Sequence, residues 1–268
     1  MAELAEVVKG LVTAVDAALA EGEGGHGGQR KADGSVVTAT DTAIQERVRA
    51  VLAEGWPEYD FLGEEMDAES QWRALSAADG LWCLDPLDGT SNYAAGVPYY
   101  AVSLALLVEG AAELGVVYDP VRRECFTARR GEGAWLNDRP LAGPARSVRL
   151  EGAVAMVDFK RLDRDMAMRL TAQPPYHSQR NFGAVALDWC WLAAGRGDLY
   201  LHGGQFLWDY AAAELVFREA GGAATTLQGE PVASGHLGRR SVVAALDPDL
   251  FEQWRTWLGV PDAEGGEA

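Results

Sequence analysis

The chain has 268 residues, 48% of them hydrophobic, with nine tryptophans and a formal net charge of −17. That much apolar area excludes a disordered chain, and the charge excludes nucleic acid and anionic membrane surfaces as partners, since it would repel both. A phosphorylated small molecule is not excluded, because metal ions or helix N-termini can supply positive charge locally.

The cysteines, Cys83, Cys125 and Cys190, lack metal-ligand spacing and read as free thiols in a reducing compartment. Glu3 and Glu6 stand where a secretory signal would want basic residues, and no run approaches about 18 apolar residues. A soluble cytoplasmic protein is expected.

In chain order, Leu4, Val7, Val8, Leu11, Val12, Val15, Ala18 and Leu19 predict an amphipathic helix over 3–21. The glycine-rich stretch 22–35 has little to bury and reads as a mobile loop carrying His26 and Lys31. Ile44, Val48, Val51 and Leu52 predict a second helix, with Thr40 or Asp41 as its N-cap. Residues 60–65 form a short strand ending at Gly63, Glu64 and Glu65. Leu81 to Leu84 is a buried strand expected to stop at Asp85, because Pro86 cannot donate to a sheet ladder.

Runs at 99–108, 113–118, 125–128 and 134–136 predict an antiparallel sheet with a hairpin turn at 109–112. The polar stretch 140–152 suggests a boundary near 145, giving an N-terminal α+β half (1–145) and a C-terminal α/β half (146–268). In the second half, strands are expected at 153–158, 176–181, 198–202 and 241–246. Helices are expected at 163–170, from Gly183 to Gly195, from Trp208 to about Phe217, and after the cap at Asp247-Pro248.

Asp85 and Asp88 flank Pro86-Leu87 and precede Gly89-Thr90. Two acids three residues apart, with the Leu87 carbonyl between them, suit a hard divalent cation; an Asx turn bonded to nearby backbone would use the same residues. Glu64 and Glu65 are either an exposed charge pair or the source of a third carboxylate. Asp41 is a helix cap or a catalytic partner, and Asp209 is dipole complementarity in a first helical turn or a further ligand.

Gly63-Glu64-Glu65, the run from Asp85 to Tyr93, the run from Trp208 to Ala213, Glu219-Ala220-Gly221-Gly222 and Thr38-Ala39-Thr40-Asp41 together resemble the inositol monophosphatase family, in the order and separation that family shows. The resemblance implies a layered αβαβα sandwich of the α+β class, common to these enzymes and fructose-1,6-bisphosphatase. It implies two or three Mg²⁺ ions. Glu64, Asp85 and the Leu87 carbonyl would hold one, Asp85, Asp88 and Asp209 a second, and a weaker third would also lean on Glu64. A water oriented by Glu64 and by the Thr90 hydroxyl paired to Asp41 would attack phosphorus in line, with Asp88, Gly89 and Thr90 at the phosphate. It further implies lithium sensitivity and a homodimer.

The substrate pocket departs from the inositol pattern. His202 stands where inositol-specific members have a Glu, and Gly183-Ala184-Val185 replaces Gly-Ser/Thr-Ala, which removes a hydroxyl at Ala184. His202 is either a buried structural histidine or a substrate contact. Inositol 1-phosphate is the family default. Fructose 1,6-bisphosphate, adenosine 3′,5′-bisphosphate and histidinol phosphate are the alternatives, with Lys160, Arg161 and Arg180 available for a second phosphate or for surface salt bridges. The rival classes are a regulatory family member that binds another protein, and a cation-binding structural protein.

Overall fold

The computed structural model describes residues 3–22, 29–30, 36–77, 80–144, 147–233 and 235–261. His26, Lys31 and the boundary at 145 lie outside the described residues. Helix α1 (Leu4–Gly22) is followed by the short antiparallel pair β1 (Gln29–Arg30) and β2 (Val36–Val37), then by α2 (Ala39–Gly55). Next come β3 (Asp60–Gly63), α3 (Ala68–Ala77), β4 (Gly80–Asp88), α4 (Thr90–Ala94), β5 (Ala101–Val108), β6 (Ala111–Asp119), β7 (Glu124–Arg129), β8 (Gly133–Leu136) and β9 (Arg139–Leu141). The second half holds β10 (Val154–Asp158), α5 (Arg164–Ala172), β11 (Ser178–Arg180), α6 (Val185–Ala193), β12 (Leu199–Gln205), α7 (Leu207–Glu219), β13 (Ala223–Thr225), β14 (Arg240–Ala245) and α8 (Pro248–Leu258).

Strands β3 to β9 form a seven-stranded sheet in sequence order, parallel only at β3–β4. The second sheet has the order β11-β10-β12-β14-β13, parallel on its β11-β10-β12 side. Side-chain alternation sorts the layers. Trp82, Leu84, Val102, Leu104 and Leu106 pack under Val7, Leu11, Val15, Ile44 and Val48 of α1 and α2. On the other face Cys83, Ala101, Ala105 and Leu107 meet Leu187, Trp189, Ala213 and Leu215 of α6 and α7, which also cover Tyr200, Val242 and Ala244 of the second sheet. Val157, Leu199, Leu201 and Val243 then pack against Leu170 of α5 and Leu250, Trp254 and Leu258 of α8. Helix, sheet, helix, sheet, helix is the αβαβα order that the family resemblance implies. Strand β4 is buried along its whole length because helices cover both faces. No helix among the described residues is long and apolar enough to cross a membrane.

Two expectations are corrected. Helix α2 begins two residues earlier than expected: Thr38 is its N-cap, and Asp41 sits at the third helical position, accepting from the Thr38 N–H (2.8 Å) in a capping box. Strand β4 does not stop at Asp85 but runs through Pro86 to Asp88. Pairing with β5 shifts there, Asp85 opposing Ser103 and Asp88 opposing Ala101, so Pro86 and Leu87 together oppose the single Val102. A bulge tolerates the missing Pro86 N–H. Strand β9 reaches into the polar stretch 140–152. Helix α3, capped where Asp67 accepts from the Ser70 N–H, and strand β13 were not expected.

Candidate metal-dependent active site

In a regular strand, residues three apart face opposite sides. The bulge in β4 absorbs one residue, so Asp85 and Asp88 both face the middle helix layer, as Ser103 and Ala101 do on the neighbouring strand. Leu87 turns its side chain the other way, into the core beneath α1 and α2. Gly89, at φ +88°, then reverses the chain into α4.

A cavity of about 200 Å³ opens over this bulge. Its walls include Glu64, Asp85, Leu87, Asp88, Gly89, Thr90, Gly183, Val185, His202 and Asp209. Glu64 arrives from the end of β3, where its N–H donates to the Leu84 carbonyl (3.1 Å). Gln71 of α3 donates from Nε2 to the Gly63 and Glu64 carbonyls, both at 3.1 Å, and fixes that turn. Glu65 is not in the cavity wall; its N–H goes to Gln45. Asp209 comes from the first turn of α7, anchored by the Phe206 N–H to its Oδ2 (2.8 Å). It is therefore both a cap and a wall residue, and the two readings of this residue are compatible.

Asp85 and Asp88 are 2% and 7% exposed. Asp85 Oδ1 accepts from the Leu87 N–H (3.0 Å), and Asp88 Oδ2 from the Ala186 N–H at the start of α6 (2.6 Å). These hydrogen bonds do not offset burial. Asp85 is raised well above the usual carboxylate range by burial, and then by Glu64, Asp88 and Asp209; Asp88 is raised by burial and then by Asp209. Asp209 is pushed up to about 7 by burial and then Glu64, against the pull of the Phe206 N–H, Arg239 and Arg161. Among the described residues no three acidic, His or Cys groups stand as a ready-made cage, each aspartate being turned toward its backbone partner. The donor set still fits a hard cation: all-oxygen, buried, mutually repelling, and with the Leu87 carbonyl between the two bulge aspartates.

Thr90 Oγ1 lies 3.0 Å from Asp41 Oδ1 and 2.9 Å from the Leu87 carbonyl. Its single proton serves one of them at a time. Asp41 is fully buried and raised by burial, which the hydrogen bonds from Thr38 and Thr90 oppose. Ala184 is also fully buried and N-caps α6, while its neighbours Gly183 and Val185 stand in the wall. Arg180 is not in the wall and bonds Ser178 and Gln179.

His202 lines the cavity with fixed partners. Strand register places it beside Asp158, with Nε2 3.4 Å from Asp158 Oδ2, and its Nδ1 accepts from the Gly204 N–H (3.1 Å). Lys160 and Arg161 stand in the wall; so do Asp158, Phe206 and Arg239, which sequence reasoning missed. They lie apart in sequence on loop and strand ends, and only the strand order of the second sheet gathers them.

The fold and this carboxylate-lined cavity define a class, the layered phosphatase-type sandwich. The inositol monophosphatase family model matches residues 1–256, and the chain belongs to that family. Nus factor SuhB of Pasteurella multocida is 38% identical over 77% of this chain and 78% of its own. Inositol monophosphatase 1 of Homo sapiens is 31% identical over 81% of this chain and 79% of its own. Among solved structures, the extragenic suppressor protein SuhB of Bartonella henselae superposes with a TM-score of 0.80 at 28% identity, covering 98% of both chains. A staphylococcal IMPase-I complexed with products gives 0.80 at 27% identity, covering 97% of this chain and 95% of that one.

Proposed function

We propose that the chain is a magnesium-dependent phosphatase that hydrolyses a small phosphate monoester. The observation that carries this reading is the β4 bulge, which turns Asp85 and Asp88 to one face, toward Asp209 and Glu64. Glu64, Asp85, the Leu87 carbonyl, Asp88 and Asp209 would hold the Mg²⁺, which when bound neutralises these acids, screens the phosphate oxygens and makes water more acidic. The chain's own residues do the rest. Thr90 Oγ1 bridges Asp41 and the Leu87 carbonyl, so it can take up a water proton while passing its own to Asp41. Burial of Asp41 favours the protonated form and suits it to receive that proton. Glu64 orients the attacking water, and Gly89 and Thr90 turn their backbone toward the phosphate. The water oxygen forms its bond to phosphorus as the ester P–O bond breaks, and the leaving alkoxide takes its proton from a second water in the cavity. No Ser-His or Cys pairing lies in the wall among the described residues, so the proposal involves no covalent intermediate. The two halves, 1–145 and 146–268, each supply one side of the cleft, and the homodimer implied by the resemblance belongs to the same proposal.

A second reading, action by binding another protein, draws on the relatives named Nus factor SuhB. Phosphate release with Mg²⁺, with and without EDTA, separates the two. The panel is inositol 1-phosphate, fructose 1,6-bisphosphate, adenosine 3′,5′-bisphosphate, histidinol phosphate and glycerol 2-phosphate. EDTA-sensitive release from at least one ester is expected. Magnesium binding with no release from any of them favours the second reading.

A further inference from the structure

The cavity has a side that the proposed hydrolysis does not use. Lys160, Arg161 and Arg239 all stand in its wall, in a chain with 40 acidic and only 23 basic residues. The backbone is shaped around them. Lys160 and Arg161 lie in a single 3₁₀ turn, Phe159–Arg161, whose N-cap Asp158 accepts from the Lys160 N–H (2.7 Å). His202 Nε2 holds the other oxygen of Asp158, so this histidine buttresses the turn; a Glu at 202 would set a like charge against Asp158. Gly203 completes the seat, because a Cβ there would overlap the Arg161 carbonyl.

Arg239 is placed by a second feature. Its stem runs along Gly204, where an added Cβ would stand 3.4 Å from the Arg239 Cβ and 3.5 Å from its Cδ. Its guanidinium lies 4.1 Å over the Phe206 ring, which stacks on Trp208 at 4.9 Å. Phe206 is also the N-cap of α7, three residues ahead of Asp209, so Arg239 stands at the helix end that carries Asp209 into the cavity. All three basic side chains are exposed enough to meet a ligand.

We propose that Lys160, Arg161 and Arg239 form a second anion subsite, so that the preferred substrate is a phosphate ester whose alcohol carries a further phosphate or carboxylate. The inference rests on the phosphatase reading and names its substrate class. Phe206 and Trp208 line the same cavity and offer ring edges to the carbon skeleton.

The test uses substrate pairs differing in the second anion: fructose 1,6-bisphosphate with fructose 1-phosphate, and 2-phosphoglycerate with glycerol 2-phosphate. At saturating Mg²⁺ and fixed ionic strength, kcat/KM favours the doubly anionic member of at least one pair about tenfold or more, the size of one charge-assisted contact. Which pair responds tells phosphate from carboxylate. Arg161→Gln and Arg239→Gln bring the ratio toward one, chiefly through KM, and Lys160→Gln does so more weakly. A ratio near one in both pairs overturns the subsite. So do variants that depress both members of a pair equally, because the cations then serve the scissile phosphate. Calorimetric binding of the fructose pair with Ca²⁺ in place of Mg²⁺ measures the same ratio without turnover. Silence on all four esters with that binding preference intact sinks the phosphatase reading alone.

Discussion

Two bulges face the same cavity and use the same geometry for opposite ends. In β4 the pairing slips between Asp85 and Asp88, and in β12 it slips between His202 and Gln205; in each, two residues oppose one. The first bulge presents carboxylates, so its chemistry is in its side chains. The second presents Gly203 and Gly204, so what it contributes is the room it leaves for the Arg161 backbone and the Arg239 stem. A site can thus be built by placing groups or by omitting them, and only the first leaves a motif.

The comparison breaks most sharply at the acidic bulge. Asp88→Asn and Asp209→Asn each remove a proposed ligand and should lower magnesium-dependent phosphate release by at least about 100-fold, more than the usual loss for a residue that only supports a ligand. Without Mg²⁺ the thermal midpoint of Asp209→Asn should equal or exceed that of the parent, because a repelling buried acid is gone. Activity near the parent level would remove the residue from the metal site.

Thr90→Val tests the proton path beside that bulge and keeps the side-chain volume. The hydroxyl between Asp41 and the Leu87 carbonyl is lost, and kcat should fall about 10- to 100-fold at the low end of general acid–base effects, with little change in KM. An equal loss in a Thr90→Ser variant, which keeps the hydroxyl, would point to packing instead.

The acidic motif was legible because its information is local, and the layered fold was legible through the family resemblance that such motifs carry. Asp85, Asp88 and Gly89 fall within five residues, and Asp209 sits beside Trp208 at a helix start. What escaped reading was register. Pro86 suggested a strand end, and only the ladder to β5 shows that a bulge carries β4 past it. His202 looked like a substrate contact or a structural histidine. Its pairing with Asp158 depends on β10 and β12 being parallel neighbours, which no short pattern encodes. Arg239 lies thirty-three residues from Phe206 and has no motif of its own.

Gly203→Ala strikes the second bulge. The new methyl must displace the Arg161 carbonyl, at a cost of about 1–3 kcal/mol in stability. The Arg161 turn should move, so the doubly anionic preference shrinks several-fold. Mg²⁺ affinity, set at the other bulge, should hold. An Mg²⁺ affinity that falls in step with the preference would show that the two bulges are not independent.

The smallest effect probes the helix that joins them. Helix α6 holds Asp88 through the Ala186 N–H and holds Gln205 through Trp189 Nε1, which donates to its side-chain oxygen at 2.9 Å. Between these contacts Asp188 is buried, accepts from the Tyr99 hydroxyl (3.0 Å) and is pushed up to about 8 by burial. An acid whose folded pKa lies above its unfolded value of 3.8 contributes stability that is full below about pH 4. That contribution is lost as pH rises toward 8. Asp188→Asn keeps an acceptor for Tyr99 but does not titrate. In saturating Mg²⁺, which neutralises the acids of the first bulge, its stability should decline less steeply between pH 5 and pH 8, by up to about 1.4 kcal/mol per pH unit. Parallel curves for parent and variant would mean that Asp188 is ionised throughout. The layer between the bulges would then carry a negative charge, which would add to the attraction for a cation at Asp88.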